Sequence, residues 1–199
     1  MSQKSSGLAS ASKAVLSGPW LNAANLITLL RVLLAPPIVL LLLYRPHDVS
    51  YNVLAGVIFI IAALTDKVDG YYARKNDTVT RLGEFLDPLA DKLLILPVMA
   101  TLWYLEVLAL WVLIVVLVRE VMVSVIRVIG AKRGVSFPAT WSGKIKMFSQ
   151  IIAVSVLIIF PASSSDLVVQ IIVYMMAVMT AYSGIDYLVR ARREIFNRV

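Results

Sequence analysis

The chain has 199 residues, 60% of them hydrophobic, with a mean hydropathy of +0.85, a formal net charge of +7 and a pI of about 9.8. That composition excludes an ordinary soluble domain, and apolar runs close to the ~20 residues that cross a bilayer point to one integral-membrane domain. The absence of cysteine excludes disulfides and thiolate metal sites. The positive surplus has no basic soluble module to carry it, so it marks cytosol-facing ends and anionic lipid headgroups, not nucleic acid.

Residues 1–19 are Ser-rich and free of acids, and are expected to form a disordered cytosolic tail. From Trp20 the alternation of Trp20, Leu21, Leu26, Ile27 and Leu30 with Asn22, Asn25, Thr28 and Arg31 predicts a short interfacial amphipathic helix. It runs into a first span over residues 26–44, which Pro36 and Pro37 should kink. The single histidine, His47, falls in the loop that follows and is expected to be solvated. Five further spans are predicted over residues 51–75, 83–104, 107–132, 143–160 and 167–187, with a basic tail after the last (Arg190, Arg192, Arg193, Arg198). The fold class is thus all-α, with six transmembrane helices in a single domain over residues 20–199.

Charge sets the orientation. The loops after spans one, three and five hold only Arg45, at an edge, whereas Lys67, Arg74, Lys75, Arg81, Arg127, Lys132, Arg133, Lys144, Lys146 and the tail crowd the other side. By the positive-inside rule both termini face the cytosol.

Acids are concentrated between Asp66 and Asp91. At about 100° per residue, Asp66, Asp69, Gly70, Ala73 and Arg74 share one face of the second span. Gly83, Asp87 and Asp91 form a stripe on the third. Asp66 lies roughly 13 Å before Lys75, and Asp91 roughly 12 Å after Gly83, so the halves reach similar depth from the cytosolic side. Carboxylates inside a span cost about 2.5–3.5 kcal/mol each. Facing one another they would repel unless hard divalent cations sat between them. Exposed helix ends would explain the acids alone, but neither the shared face nor the small residues beside it. Gly70, Ala73 and Gly83 open a slot, and Arg74 offers a fork for phosphate. Together these residues point to a diphosphate held through metal ions.

The pattern Asp66-x2-Asp69-Gly70-x2-Ala73-Arg74-x8-Gly83-x3-Asp87-x3-Asp91 resembles the signature of the CDP-alcohol phosphotransferase family, with every defining position filled. The resemblance covers residues 20–195. It implies that Asp66, Asp69, Asp87 and Asp91 bind two Mg²⁺ or Mn²⁺ ions, that Gly70, Ala73, Arg74 and Gly83 line the CDP site, and that Asp91 also takes the acceptor's proton. It further implies a homodimer; chain size and the lack of a clear transit peptide suggest a bacterial plasma membrane, and the charge bias sets the acidic motif on the cytosolic side.

The acceptor is indicated by cations further along. Arg119 and Arg127 share a face of the fourth span, and Gly143-Lys144-Ile145-Lys146 opens the fifth on the cytosolic side. Arg119, set in an apolar run, needs either an anion or a neutralising acid such as its neighbour Glu120. Four cations near the acidic motif, Arg119, Arg127, Lys144 and Lys146, suit an acceptor that itself carries phosphate. With Asn25, Thr28, Arg31, Lys92 and Gln150, they resemble the phosphatidylglycerophosphate synthase branch. That resemblance implies CDP-diacylglycerol and sn-glycerol 3-phosphate as substrates. Ala24 and Met147 depart from that branch's usual Pro and Thr. A sister enzyme using inositol phosphate remains an alternative, as does a cation transporter, although a transporter would spread its acids along a path.

Overall fold

The computed structural model describes residues 23–46, 48–75, 81–132 and 140–196; side chains are described over 30–46, 48–65, 92–130 and 140–194. The predicted tail, residues 20–22 of the interfacial helix, His47 and Arg198 lie outside the described residues. Among those described there is no strand. Six α-helices follow one another: α1 (Ala23–Tyr44), α2 (Val49–Lys75), α3 (Arg81–Tyr104), α4 (Leu110–Lys132), α5 (Trp141–Ile159) and α6 (Leu167–Phe196), with a 3₁₀ turn at Pro161–Ser163. The six helices fall on the six predicted apolar stretches. Pro36 and Pro37 lie inside α1, which continues past them to Tyr44. Arg190, Arg192 and Arg193 belong to the last helix, not to a tail after it; nothing in that stretch breaks a helix, since it lacks Gly and Pro.

Two helices, α5 and the stretch Leu167–Glu194 of α6, are long and apolar enough among the described residues to cross a bilayer. Shorter apolar stretches run over Leu30–Tyr44, Val49–Thr65 and Lys92–Tyr104. Each helix buries one stripe. In α1 it is Arg31, Ala35, Ile38 and Leu42; in α2 Asn52, Ala55, Phe59, Ala62 and Ala63; in α6 Val169, Met176, Ala177, Thr180, Ser183 and Tyr187. These spacings of three and four are the helical period. The opposite faces stay apolar and exposed, as Leu40, Val57, Ile61, Leu117, Val121, Ile171, Val178 and Ile185 illustrate. Apolar surface on both sides of a helix is what a hydrocarbon surround permits and water does not.

Packing joins α1 to α2 and α3, α2 to α5, and α6 to both α4 and α5. The α2–α5 crossing is close because Gly56 has no side chain: a Cβ there would stand 2.5 Å from Ile159 Cγ1. At the α4–α6 crossing, a Cβ on Gly184 would meet Met122 Cε at 3.1 Å and Arg119 Cγ at 3.2 Å.

Three helix ends show how the connections are made. Asp48 caps α2 by accepting from Ser50 N at 2.9 Å, and buried Asn52 donates back to Pro46 O at 3.0 Å. Thr140 caps α5, its Oγ1 accepting from Gly143 N at 3.2 Å. The α3–α4 turn closes with Glu106 N donating to Trp103 O and Val107 N to Leu102 O, both at 2.9 Å, with Glu106 at φ 60°. That is the Schellman arrangement with glutamate in the left-handed position that usually favours glycine.

Candidate active site

On α4, Val112, Val116, Glu120 and Val123 make one buried stripe. Glu120 thus occupies a core position on the helical repeat, and a carboxylate there must be neutralised. Its Oε1 accepts from Arg119 Nη1 at 3.0 Å and from Lys146 Nζ of α5 at 2.5 Å. Arg119 Nη2 donates to Ser183 Oγ of α6 at 2.9 Å. Ser124, one turn after Glu120, donates to the Glu120 carbonyl at 2.6 Å and accepts from Lys92 Nζ of α3. One turn of α4 therefore ties together α3, α5 and α6 through polar contacts in an otherwise apolar bundle, where each unmade bond would be costly.

These residues border a cavity of about 340 Å³. Its walls come from α2 at Ala63, from α3 at Lys92, Leu94 and Ile95, and from α4 at Arg119, Glu120, Val123, Ser124 and Arg127. The N-terminal three turns of α5 and Tyr187 of α6 complete it. All four cations predicted for the acceptor, Arg119, Arg127, Lys144 and Lys146, line this one cavity. The pairing of Arg119 with Glu120, the alternative that the sequence raised, is also present. The two are compatible, because one carboxylate serves two cations. Among the described lining residues five cations face one acid, a net of four positive charges. Such a concave, positively charged surface focuses potential on an entering anion.

The N-terminus of α5 is fixed by a chain of polar contacts. Thr140 Oγ1 meets Ser142 Oγ at 2.9 Å, Ser142 donates to Asp186 Oδ2 at 2.6 Å, and Arg190 Nε donates to Asp186 Oδ1 at 2.9 Å. Lys144 lies over the Trp141 ring, 5.3 Å from its centroid.

The acidic motif falls on the adjoining helix ends. Asp66, Asp69, Gly70, Ala73 and Arg74 are on the last turns of α2, and Gly83, Asp87 and Asp91 on the first turns of α3. Their side chains lie outside the described residues. Their immediate neighbours are described: Ala63, one turn before Asp66, and Lys92, directly after Asp91, line the same cavity. Among the described residues no three His, Asp or Glu side chains gather as a metal site. Sequence reasoning missed the bridging role of Glu120, the contact from Lys92 to Ser124, and the contributions of Thr140 and Tyr187. Glu120 and Ser124, an i, i+4 pair of polar residues inside an apolar span, were the signal for the first two.

The family model described as CDP-alcohol phosphatidyltransferase matches residues 21–183. A probable phosphatidylglycerophosphate synthase of Mycobacterium tuberculosis (strain H37Rv) is 40% identical over 176 residues, covering 87% of this chain and 83% of the relative. The CDP-diacylglycerol–glycerol-3-phosphate 3-phosphatidyltransferase of Bacillus subtilis is 42% identical over 149 residues, 69% of this chain and 77% of that protein. The protein of the same name from Shigella flexneri is 34% identical over 185 residues, 89% of this chain and 98% of that protein.

Proposed function

The chain belongs to the CDP-alcohol phosphatidyltransferase family, and on that footing we propose that it transfers a phosphatidyl group from CDP-diacylglycerol to sn-glycerol 3-phosphate, giving phosphatidylglycerophosphate and CMP. The names of its relatives support this reading. The observation that carries the choice of acceptor is the cavity bordered by Lys92, Arg119, Arg127, Lys144 and Lys146 beside the ends of α2 and α3. An acceptor without phosphate would have no use for so many cations.

Asp66, Asp69, Asp87 and Asp91 fit a pair of hard divalent cations. They are carboxylates at i, i+3 and i, i+4 on two helices whose flanking residues, Ala63 and Lys92, border one cavity. Bound there, Mg²⁺ or Mn²⁺ would offset the charge of the diphosphate and of the departing CMP. Gly70, Ala73 and Gly83 leave room for the nucleotide against the backbone, and the Arg74 fork pairs with its phosphate. Arg119, Arg127, Lys144 and Lys146 hold the acceptor's phosphate and so orient its hydroxyl. The hydroxyl oxygen bonds to the lipid-bearing phosphorus, and the bond from that phosphorus to the bridging oxygen breaks. CMP leaves with that oxygen, and the hydroxyl proton passes to the Asp91 carboxylate.

The same reading sets all six helices across a bacterial plasma membrane, with the cavity open to the cytosol and the exposed apolar faces against lipid or a second copy in a homodimer. Lipid tails then enter sideways between helices while the headgroup chemistry stays at the aqueous edge. Purified protein with CDP-diacylglycerol, Mg²⁺ and radiolabelled alcohols tests the choice of acceptor. CMP release is expected with glycerol 3-phosphate; release only with inositol phosphate or an uncharged alcohol assigns the chain to a sister activity.

A further inference from the structure

Gln150 lines the cavity from α5 and its side chain is fully buried. Its Nε2 donates to Met99 Sδ of α3 at 3.5 Å, and thioether sulfur is a weak acceptor. Its Oε1 is sealed from solvent and has no hydrogen-bond partner among the described residues. A buried amide oxygen left unpaired destabilises the fold, whereas an apolar side chain of the same shape would not. A group that carries such a cost beside a cavity is complementary to something that enters it.

Its place on α5 says what that is. Gly143, Lys146, Met147 and Gln150 recur at three and four residues, so they share a face. Gln150 lies one turn beyond Lys146, about 6 Å along the axis and away from the helix N-terminus. The cavity lining also includes Ala63, Leu94, Ile95 and Ile151, which offer no side-chain donor or acceptor. A phosphate held by Lys146 and the arginines therefore places the carbon chain of its alcohol one turn deeper, alongside Gln150. We propose that Gln150 is a specificity-determining residue, binding the free middle hydroxyl of a phosphorylated triol while the terminal hydroxyl attacks. A hydroxyl both donates and accepts, so it pairs with the amide head in either orientation. The inference rests on the acceptor assignment proposed above and goes beyond it, by dividing the acceptor between a phosphate end and a hydroxyl end.

The test uses the full chain in lipid–detergent micelles with CDP-diacylglycerol and Mg²⁺. Two acceptors are compared: glycerol 3-phosphate and propane-1,3-diol monophosphate, which keeps the phosphate and the terminal hydroxyl but lacks the middle one. Wild type should favour glycerol 3-phosphate in kcat/KM by about tenfold or more, the worth of one buried hydrogen bond. Gln150→Leu should bring that ratio close to one, losing rate on glycerol 3-phosphate while the rate on the diol phosphate stays near wild type. The diol phosphate reports whether the variant is folded, and Gln150→Met, similar in length without the polar head, repeats the measurement. An undiscriminating wild type, an unchanged ratio in the variants, or loss of rate on both acceptors by both variants overturns the role of Gln150. A wild type that releases CMP with other alcohols but with neither of these two overturns the acceptor assignment instead.

Discussion

Lys146 Nζ of α5 lies 2.5 Å from Glu120 Oε1 of α4, and the same oxygen takes Arg119 Nη1 at 3.0 Å. A single buried carboxylate thus holds two of the cations that the sequence marked for a phosphate. Under the proposed function, a phosphate entering the cavity would offer those cations a second anion.

The first prediction concerns that carboxylate. Glu120→Ala leaves Arg119 and Lys146 buried without their counter-charge, which costs about 3–5 kcal/mol where a buried pair is broken. The variant should melt well below wild type in detergent, and millimolar glycerol 3-phosphate should raise its melting temperature more than that of wild type. Equal melting temperatures without ligand would show that Glu120 neutralises nothing.

Removing a cation acts on binding. Lys146→Ala should raise the KM for glycerol 3-phosphate about 10- to 100-fold, the worth of a charge-assisted hydrogen bond, with the KM for CDP-diacylglycerol little changed. Steady-state kinetics with each substrate varied in turn decides this, and an effect confined to the CDP-lipid contradicts the placement of the acceptor.

Asp91→Asn should lower kcat by at least about 10²-fold, through loss of the general base, while the protein still folds. Turnover is measured as CMP release and folding by size-exclusion profile and melting curve. A near-normal rate removes Asp91 from the chemistry.

Two backbone positions test the packing. Gly56→Val drives side-chain atoms into Ile159, where even a Cβ would stand 2.5 Å from Cγ1, and overpacking of that kind costs about 1–3 kcal/mol. The melting temperature should fall; an unchanged value would mean that the α2–α5 crossing is looser than described.

Glu106→Gly goes the other way. At φ 60° glutamate pays a steric cost of about 1–2 kcal/mol that glycine avoids. The substitution should leave activity alone and keep or raise the melting temperature, and a clear loss of stability would mean that the glutamate side chain contributes to the turn.

Much of the fold was legible because long apolar helices advertise themselves. The six predicted spans fall on six helices because apolar length and helical period are local properties. One misjudged detail is local too: α6 runs through arginines expected in a tail, because nothing after Tyr187 stops it. In the site, Arg119 and Arg127 were identifiable as cations on one face of an apolar helix and Lys144 and Lys146 as cations opening the next, but that all four line one cavity was shown only by the packing.

What sequence alone settled, then, was the set of chemical groups and the helix face each occupies: an acidic, glycine-spaced motif on two adjoining helices, and cations on two more. Phase along a helix follows from residue number, so no tertiary information was needed. Which groups meet across helices was decided only by packing. That Glu120 bridges Arg119 and Lys146, that Ser183 holds Arg119, that Lys92 reaches Ser124, and that Gln150 is buried with an oxygen unpaired among the described residues are all outcomes of how the helices cross. Contacts between residues tens of positions apart leave no period in the sequence, because they are set by the crossing of whole helices and not by the spacing along any one of them.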